Sequence, residues 1–329
     1  MRAWQVHENG DPADVLRLEE APDPTPGPGQ LLVRVESAAL NFPDVLLCQG
    51  KYQEKPPLPF TPGVELHGEV VAVGDGVTRS APGDAVIGTP GLPRGAYAEL
   101  AVVDEGQAWP ALPALSSAQN AGLFLTYQTG HVALHRRANL QPGEVLLVHG
   151  GAGGVGTAAI QLGKAAGATV IATAGGPEKV EVCRRMGADV AIDYRADDFV
   201  PVVKEVTGGR GADVVYDPVG GDVFERSLKC IAFEGRVLVI GFTQGRFGQA
   251  PTNHALVKNY SVVGVHWGLY RKMDPSIIEA AQRDLEQLAD KGLISPYVSE
   301  EVGMADLPAA LTRLGSRGTT GKVVVHPHA

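Results

Sequence analysis

Cysteine is scarce: Cys48, Cys183 and Cys230 are the only three in 329 residues. An odd number without metal-ligand spacing supports neither a disulfide framework nor a cysteine-rich zinc lobe, so each reads as a small buried side chain. Long apolar runs are missing as well. No stretch approaches the length that crosses a bilayer, and the opening Met1-Arg-Ala-Trp-Gln-Val-His7-Glu8 has no apolar signal core. A cytoplasmic protein without a membrane partner is therefore expected. Clustered positive charge is absent too: the formal net charge is −9 and no block of Lys and Arg occurs. That argues against a nucleic-acid footprint. Nor does any Ser/His/Asp or Cys/His arrangement point to a hydrolase with a covalent intermediate.

What is present is ordinary in bulk and specific in pattern. A composition of 44% hydrophobic and 20% charged residues suits a globular chain, and the length exceeds what one core supports, so two domains are expected. Up to about Ala114, short β-type runs such as Leu31-Leu-Val-Arg-Val35, Gly68-Glu-Val-Val-Ala-Val73 and Asp84-Ala-Val-Ile87 are separated by turns at Pro24-Thr-Pro-Gly-Pro-Gly29, Thr61-Pro-Gly63 and Ala81-Pro-Gly-Asp84. They predict an irregular, mostly antiparallel β domain. From Ser117 to His135 the pattern is helical, and Gln141-Pro-Gly143 breaks it. Beyond that break, strands from Glu144, at Thr169 to Thr173, Val190 to Ile192, Ala212 to Tyr216, Arg236 to Ile240 and Ser261 to Val265 mostly alternate with helical stretches. Six such strands predict a doubly wound parallel sheet in an α/β protein. Pro275 to Lys291 reads as an amphipathic helix with Ile277, Ile278, Leu285 and Leu288 on one side. Gly321-Lys-Val-Val-Val325 reads as a closing strand that returns to the first domain. The expected division is 1–115, completed by 292–329, and 116–291.

The most specific stretch is Glu144-Val-Leu-Leu-Val-His-Gly150-Gly-Ala-Gly-Gly-Val-Gly156. An apolar strand runs into a turn with Gly151, Gly153 and Gly156 in GxGxxG spacing, and Gly154 and Val155 lie inside that run. A helix follows from Thr157 to Ala168. This is the dinucleotide-binding fingerprint. The first glycine makes the tight turn, the second lets the backbone approach a pyrophosphate, and the third lets helix and strand pack closely. The helix N-terminus offers free N–H groups to the phosphates.

With this fingerprint stand Ala39-Leu-Asn-Phe-Pro-Asp44, Pro59-Phe-Thr-Pro-Gly-Val-Glu65, Gly68-Glu-Val-Val-Ala-Val-Gly74, Gly83-Asp84, Tyr127-Gln-Thr129, Ala212-Asp-Val-Val-Tyr-Asp217 and Gly321-Lys-Val-Val. Together they resemble the medium-chain dehydrogenase/reductase superfamily, in particular its zinc-free NADPH:quinone oxidoreductase branch, over essentially the whole chain. The resemblance implies a GroES-like β-rich catalytic domain and a Rossmann domain, with the active site in the cleft between them. Zinc-dependent relatives place Cys, His and Cys where this chain has Asn41, Val64 and, near the third slot, Leu125. An amide, an isopropyl and an isobutyl group cannot replace thiolate and imidazole ligands. No metal is expected, and alcohol activation by a Lewis acid is not available. His67 lies close to the second slot but has no partner ligands in the sequence.

An NAD site carries an acid at the end of the second strand. Here that strand ends Ile171-Ala-Thr173-Ala-Gly-Gly176, and the acid slot is Ala174. By resemblance, Lys179 and Tyr194 contact a 2′-phosphate, and Arg195 adds charge, so NADPH is the expected cofactor. Read alone, Lys179 is equally a solvated helix residue. Topology puts the remaining cofactor contacts at the carboxyl ends of the strands: Thr173, Gly241 and Phe242, then His266 and Trp267, with the main chain at the last two places holding the carboxamide in relatives. Lys322 looks cofactor-proximal by resemblance, or is an exposed lysine at a strand start. For chemistry the resemblance offers Asn41, whose amide donates to a carbonyl or to the cofactor, Tyr52 and Thr129. Tyr52 is either a donor to a reduced quinone or an aromatic lid. Asp44 and Glu65 read as structural carboxylates.

Three readings follow: hydride transfer from NADPH to a quinone, reduction of an α,β-unsaturated carbonyl or enoyl thioester with the same cofactor, and a non-catalytic NADPH-binding protein. Relatives pair through the edge of the Rossmann sheet. The apolar strand from Ser261 to Val265 would be exposed in a monomer, so a homodimer is expected.

Overall fold

The turn-punctuated first third forms seven strands: β1 (Arg2–Val6), β2 (Leu16–Glu20), β3 (Gln30–Ala39), β4 (Leu66–Val73), β5 (Ala85–Gly88), β6 (Leu100–Asp104) and β7 (Ala108–Pro110). Six more follow the fingerprint: β8 (Val145–Val148), β9 (Thr169–Ala174), β10 (Val190–Asp193), β11 (Ala212–Asp217), β12 (Ile231–Val239) and β13 (Ser261–Gly264). β14 (Val298–Gly303) and β15 (Lys322–His326) close the chain. The computed structural model describes residues 1–329. It divides into two units, Met1–Leu125 with Ser295–Ala329, and Thr126–Ile294.

In the first unit a seven-stranded sheet runs β14-β15-β3-β4-β5-β7, with β6 also paired to β3. Its pairings are antiparallel apart from β14 with β15. Alternation along β3 sends Leu31, Val33 and Val35 inward, where they meet Leu66 and Val70 of β4, Val103 of β6 and Val323 and Val325 of β15. β15 joins the first unit by pairing Val324 with Ala39 and Val325 with Ala38. The second unit is a parallel six-stranded sheet ordered β10-β9-β8-β11-β12-β13. The chain reverses direction across the sheet between β8 and β11, and ligands of such folds bind beyond the strand ends at that point. β8 is buried along its whole length, as a central parallel strand is.

Several element boundaries differ from the sequence reading. The fingerprint helix spans Gly154–Ala165 and so includes Gly154 and Val155. β12 begins at Ile231 because its register against β11 slips, with Ala212 opposite Ile231 but Val214 opposite Arg236. Glu234 takes a positive φ of 57° in that bulge, which hides the early part of the strand from a period-two reading. The helix before β12 is Gly221–Ser227, not 224–230, since its first residue is a glycine that reads as punctuation. Short helices at Phe42–Cys48, Thr252–Lys258 and Trp267–Met273 carry no long apolar period and were not legible. No helix is long and apolar enough to cross a membrane.

Candidate functional site

Two of the three fingerprint glycines are demanded by the protein itself. A methyl group on Gly151 would lie 2.8 Å from Cys183 Sγ and 3.0 Å from Ala172 Cβ. On Gly156 it would drive into the carbonyl oxygen of Gly150 and lie 2.7 Å from Gly151 Cα. Gly153 is different: its nearest neighbour would be Gly150 O at 3.5 Å, an ordinary contact. Its φ of −85° suits any residue. Nothing in the chain requires glycine there, and the missing side chain leaves the space beside that backbone open. Gly153 caps the helix Gly154–Ala165, whose first-turn amides at Gly154, Val155 and Gly156 have no acceptor inside the helix. They carry its positive end. The cradle therefore fits a pyrophosphate.

At the end of β9, Ala174 occupies the position an acid would take in an NAD site. Next to it, a methyl on Gly175 would meet Tyr194 Oη at 2.5 Å and Arg195 Nε at 3.2 Å, and one on Gly176 would meet Arg195 Nη1 at 3.2 Å. The phenol and the guanidinium thus lie against the glycine turn. Lys179, in the first turn of the helix Pro177–Arg185, is half-buried nearby in sequence. Asp193 accepts from the amides of Gly176 at 2.9 Å and Arg195 at 3.0 Å, and these bonds hold its carboxyl below the usual range. Its charge is engaged in fixing the turn.

The remaining strand ends of this unit carry backbone loops. Asp217, buried at the end of β11, accepts from the amides of Val219 and Gly220 at 2.8 and 3.0 Å. Burial raises its carboxyl against those two bonds. Gly241 and Phe242 follow β12, and Phe242 packs edge-on to Phe247 at 4.7 Å. Arg246 ties this loop back to Asp222 and Glu225. His266 is exposed, Trp267 is buried, and Arg271 lies over its ring at 5.5 Å. Thr129 is half-buried on the helix Ser117–His131.

The first unit holds a second constellation. Lys322 is only 3% exposed, not a surface lysine at a strand start. Its ammonium donates to Leu40 O at 3.1 Å, Asn41 Oδ1 at 2.7 Å and Glu65 Oε1 at 2.6 Å, which uses all three of its hydrogens. Glu65, fully buried, also accepts from Asn41 Nδ2 at 2.8 Å and from the Leu125 amide at 2.8 Å. Asn41 spends its other amide hydrogen on Ala39 O at 3.1 Å. The amide read from the sequence as a free donor is thus committed on every side. Asp44 is buried and accepts from the amides of Asn41 and Gly63 and from Tyr97 Oη at 2.7 Å. Burial pushes its carboxyl up to about 7 against the Tyr97 hydroxyl and those amides, and pushes the Tyr97 phenol well up. Tyr52, half-buried, packs on the core of this unit.

A metal does not fit here. The three slots hold a fully bonded amide, an isopropyl group and a backbone amide that already donates to Glu65. Lys322 adds a positive charge to the only carboxylate bonded among them. Such a set lacks the thiolate and imidazole donors zinc takes.

One cluster was not found in the sequence. His149, just before the glycine turn, bonds Thr173 Oγ1 at 2.9 Å through Nδ1 and Ser227 Oγ at 2.8 Å through Nε2. The available signal was positional: Val145, Leu147 and His149 share one face of a buried strand and its extension, so an imidazole there must find partners.

Residues 154–283 match the family described as zinc-binding dehydrogenase, and residues 27–114 match the alcohol dehydrogenase GroES-like domain. The chain is 41% identical over 301 residues to the quinone oxidoreductase-like protein 2 homolog of Nematostella vectensis, covering 91% of this chain and 82% of that protein. It is 37% identical over 309 residues to the mouse quinone oxidoreductase-like protein 2, covering 93% and 87%. Among solved structures it is similar to the Escherichia coli quinone oxidoreductase complexed with NADPH, with a TM-score of 0.91, 31% identity and coverage of 99% and 100%.

Proposed function

The chain belongs to the medium-chain dehydrogenase/reductase superfamily, in its quinone oxidoreductase-like branch, and from that premise we propose that it transfers a hydride from NADPH to a quinone without metal assistance. The observation that carries the reading is the glycine cradle, open at Gly153, beside a strand end with Ala174 where an acid would repel a 2′-phosphate. NADPH, when bound, supplies the hydride. The main chain of Gly151, Gly153, Gly154, Val155 and Gly156 would hold its pyrophosphate. Lys179, Tyr194 and Arg195 would hold the 2′-phosphate, a recognition that suits guanidinium and ammonium groups. Gly241, Phe242, His266 and Trp267 would line the nicotinamide end, and Thr173 the strand end between. We assign the acceptor chemistry to residues 1–115 with 292–329, and the cofactor to 116–291.

Asn41, Tyr52 and Thr129 are the proposed catalytic residues, Asn41 and Tyr52 on the acceptor side and Thr129, from the cofactor stretch, near the nicotinamide. With its amide spent on Ala39 and Glu65, Asn41 acts by shape, and Lys322 serves the cofactor by holding Asn41 and Glu65 in place. Tyr52 is proposed as the donor to an acceptor oxygen, with an aromatic lid as its other role. Rate then comes from positioning and water exclusion.

The test is oxidation of NADPH and NADH, side by side, with a quinone and with an α,β-unsaturated ketone, after chelator treatment. Quinone turnover that prefers NADPH by at least about tenfold, a difference of ~1.4 kcal/mol, and survives chelation is the expected result. Turnover with the enone alone moves the function to double-bond reduction. Tight NADPH binding without turnover of either acceptor points to an enoyl thioester as substrate or to a non-catalytic binder, and activity lost on chelation overturns the metal-free mechanism.

We further assign β13 as the contact of a homodimer. It is an edge strand with Val262 45% exposed, and the preceding helix Thr252–Lys258 shows Leu256 and Val257 at 78% and 79%. Unpaired apolar edges seek partners. Sedimentation should give a dimer for the wild type and a monomer for Val262→Lys; a monomeric wild type removes the assignment.

A further inference from the structure

The His149 cluster has only one way to arrange its hydrogens. Ser227 has a single hydroxyl hydrogen, and it goes back along its helix to Val223 O at 2.7 Å. Toward His149 Nε2, 2.8 Å away, Ser227 can therefore only accept, so Nε2 carries the hydrogen. Burial, with the positive charge of Arg226 beside it, pushes the imidazole down to about 3, and a neutral imidazole has one N–H. Nδ1 is then a bare acceptor, and the Thr173 hydroxyl at 2.9 Å must donate to it. The main-chain oxygen of Thr173 in turn accepts the amide of Gly151 at 2.9 Å. His149 itself donates its backbone N–H to Tyr216 O at 3.0 Å, so its position on the sheet is fixed independently of its ring. The ring also stands edge-on to Phe199 at 4.8 Å.

We propose that His149 is a positioning residue for the dinucleotide turn: locked as the Nε2–H tautomer by Ser227, it orients Thr173 and, through the Thr173 carbonyl, the first fingerprint glycine. The relay runs from the helix Gly221–Ser227 through the ends of β8 and β9 to Gly151, and none of its side chains lies in the glycine turn. It rests on the reading of that turn as an NADPH site. It differs from simple core packing in one respect: the order of donors, not the volume, carries the effect. Removing the Ser227 oxygen leaves a buried Nε2–H without an acceptor, a costly state. The hydrogen then moves to Nδ1, where Thr173 accepts it, and the Thr173 hydroxyl changes from donor to acceptor, turning its own hydrogen elsewhere without any change in the core around it.

Long-range 1H–15N correlation on the free wild-type protein reads the tautomer directly. The expected pattern is Nε2–H for His149, with Nδ1–H appearing in Ser227→Ala. In parallel, NADPH affinity is measured by calorimetry for Ser227→Ala, Thr173→Val, the double variant and Thr173→Ser. Each of the first two should bind about three- to tenfold more weakly, the range of one neutral hydrogen bond. The double variant should be no worse than Thr173→Val alone, because Ser227 acts only through Thr173. Thr173→Ser, which keeps the hydroxyl, should restore most of the affinity. An Nδ1–H wild type, or additive losses in the double variant, overturns the relay. A wild type that binds no NADPH overturns the reading of the turn, and the role of the relay with it; the tautomer, measured without cofactor, separates the two failures.

Discussion

Gly153→Ala is expected to fold as the wild type does and to lose NADPH. The methyl would have 3.5 Å to its nearest neighbour and a backbone already in an ordinary conformation, so the unfolding free energy from chemical denaturation should change by less than about 1 kcal/mol. What the methyl occupies is the approach of a pyrophosphate to the backbone. Affinity for NADPH should fall on the order of 100-fold, ~2.7 kcal/mol. Gly156→Ala is the control with the opposite signature. Its methyl meets the backbone of Gly150 and Gly151, which cannot step aside as a side chain would, and destabilisation of about 1–3 kcal/mol or more is expected. Equal binding of NADPH by Gly153→Ala and the wild type would show that the cradle holds something else.

The second large effect is expected at Lys322→Met. The methionine fills the space of the lysine stem but leaves Glu65 buried with a negative charge and only the Asn41 and Leu125 hydrogens to stabilise it. Removing one partner of a buried pair costs about 3–5 kcal/mol, a large share of the stability of a typical domain. Lys322→Met combined with Glu65→Gln should recover more than half of that loss, since the glutamine keeps an acceptor for the Leu125 amide and carries no charge. Equilibrium denaturation of the two variants decides it. A loss below about 1 kcal/mol for Lys322→Met would mean that the pair is not the support it forms in this structure. Neither variant should acquire zinc-dependent behaviour, because a thioether and an amide are no substitute for thiolate and imidazole.

The parallel sheet and its glycine turn were legible because both are local. Strand and helix periods repeat over ten to fifteen residues, and the glycine spacing lies within six. The bonding of Lys322 was not legible, because its partners Asn41 and Glu65 stand 281 and 257 residues away in the chain. A lysine at the start of a strand looks exposed until its partner is seen. Asn41 shows the same limit from the other side. Its residue type suggested a donor for a substrate, but only the fold shows that Ala39 and Glu65 take both hydrogens. His149 could have been suspected, since it continues the inward face of β8, yet its tautomer depends on Ser227, a residue on a helix whose start was misplaced by its own glycine.

The return of β15 to β3 also sets an order of assembly. The second unit is one contiguous stretch, Thr126–Ile294, whereas the first needs Ser295–Ala329 to finish its sheet. During synthesis the earlier segment therefore waits with Glu65 lacking its cation and with β3 lacking a neighbour, while the inserted unit has all of its own sequence in hand. Domains commonly form in the order in which they emerge. Here the inserted unit can be complete before the one that emerged first, and the ammonium of Lys322 arrives as the closing step, neutralising a carboxylate that the nascent chain must until then keep in water.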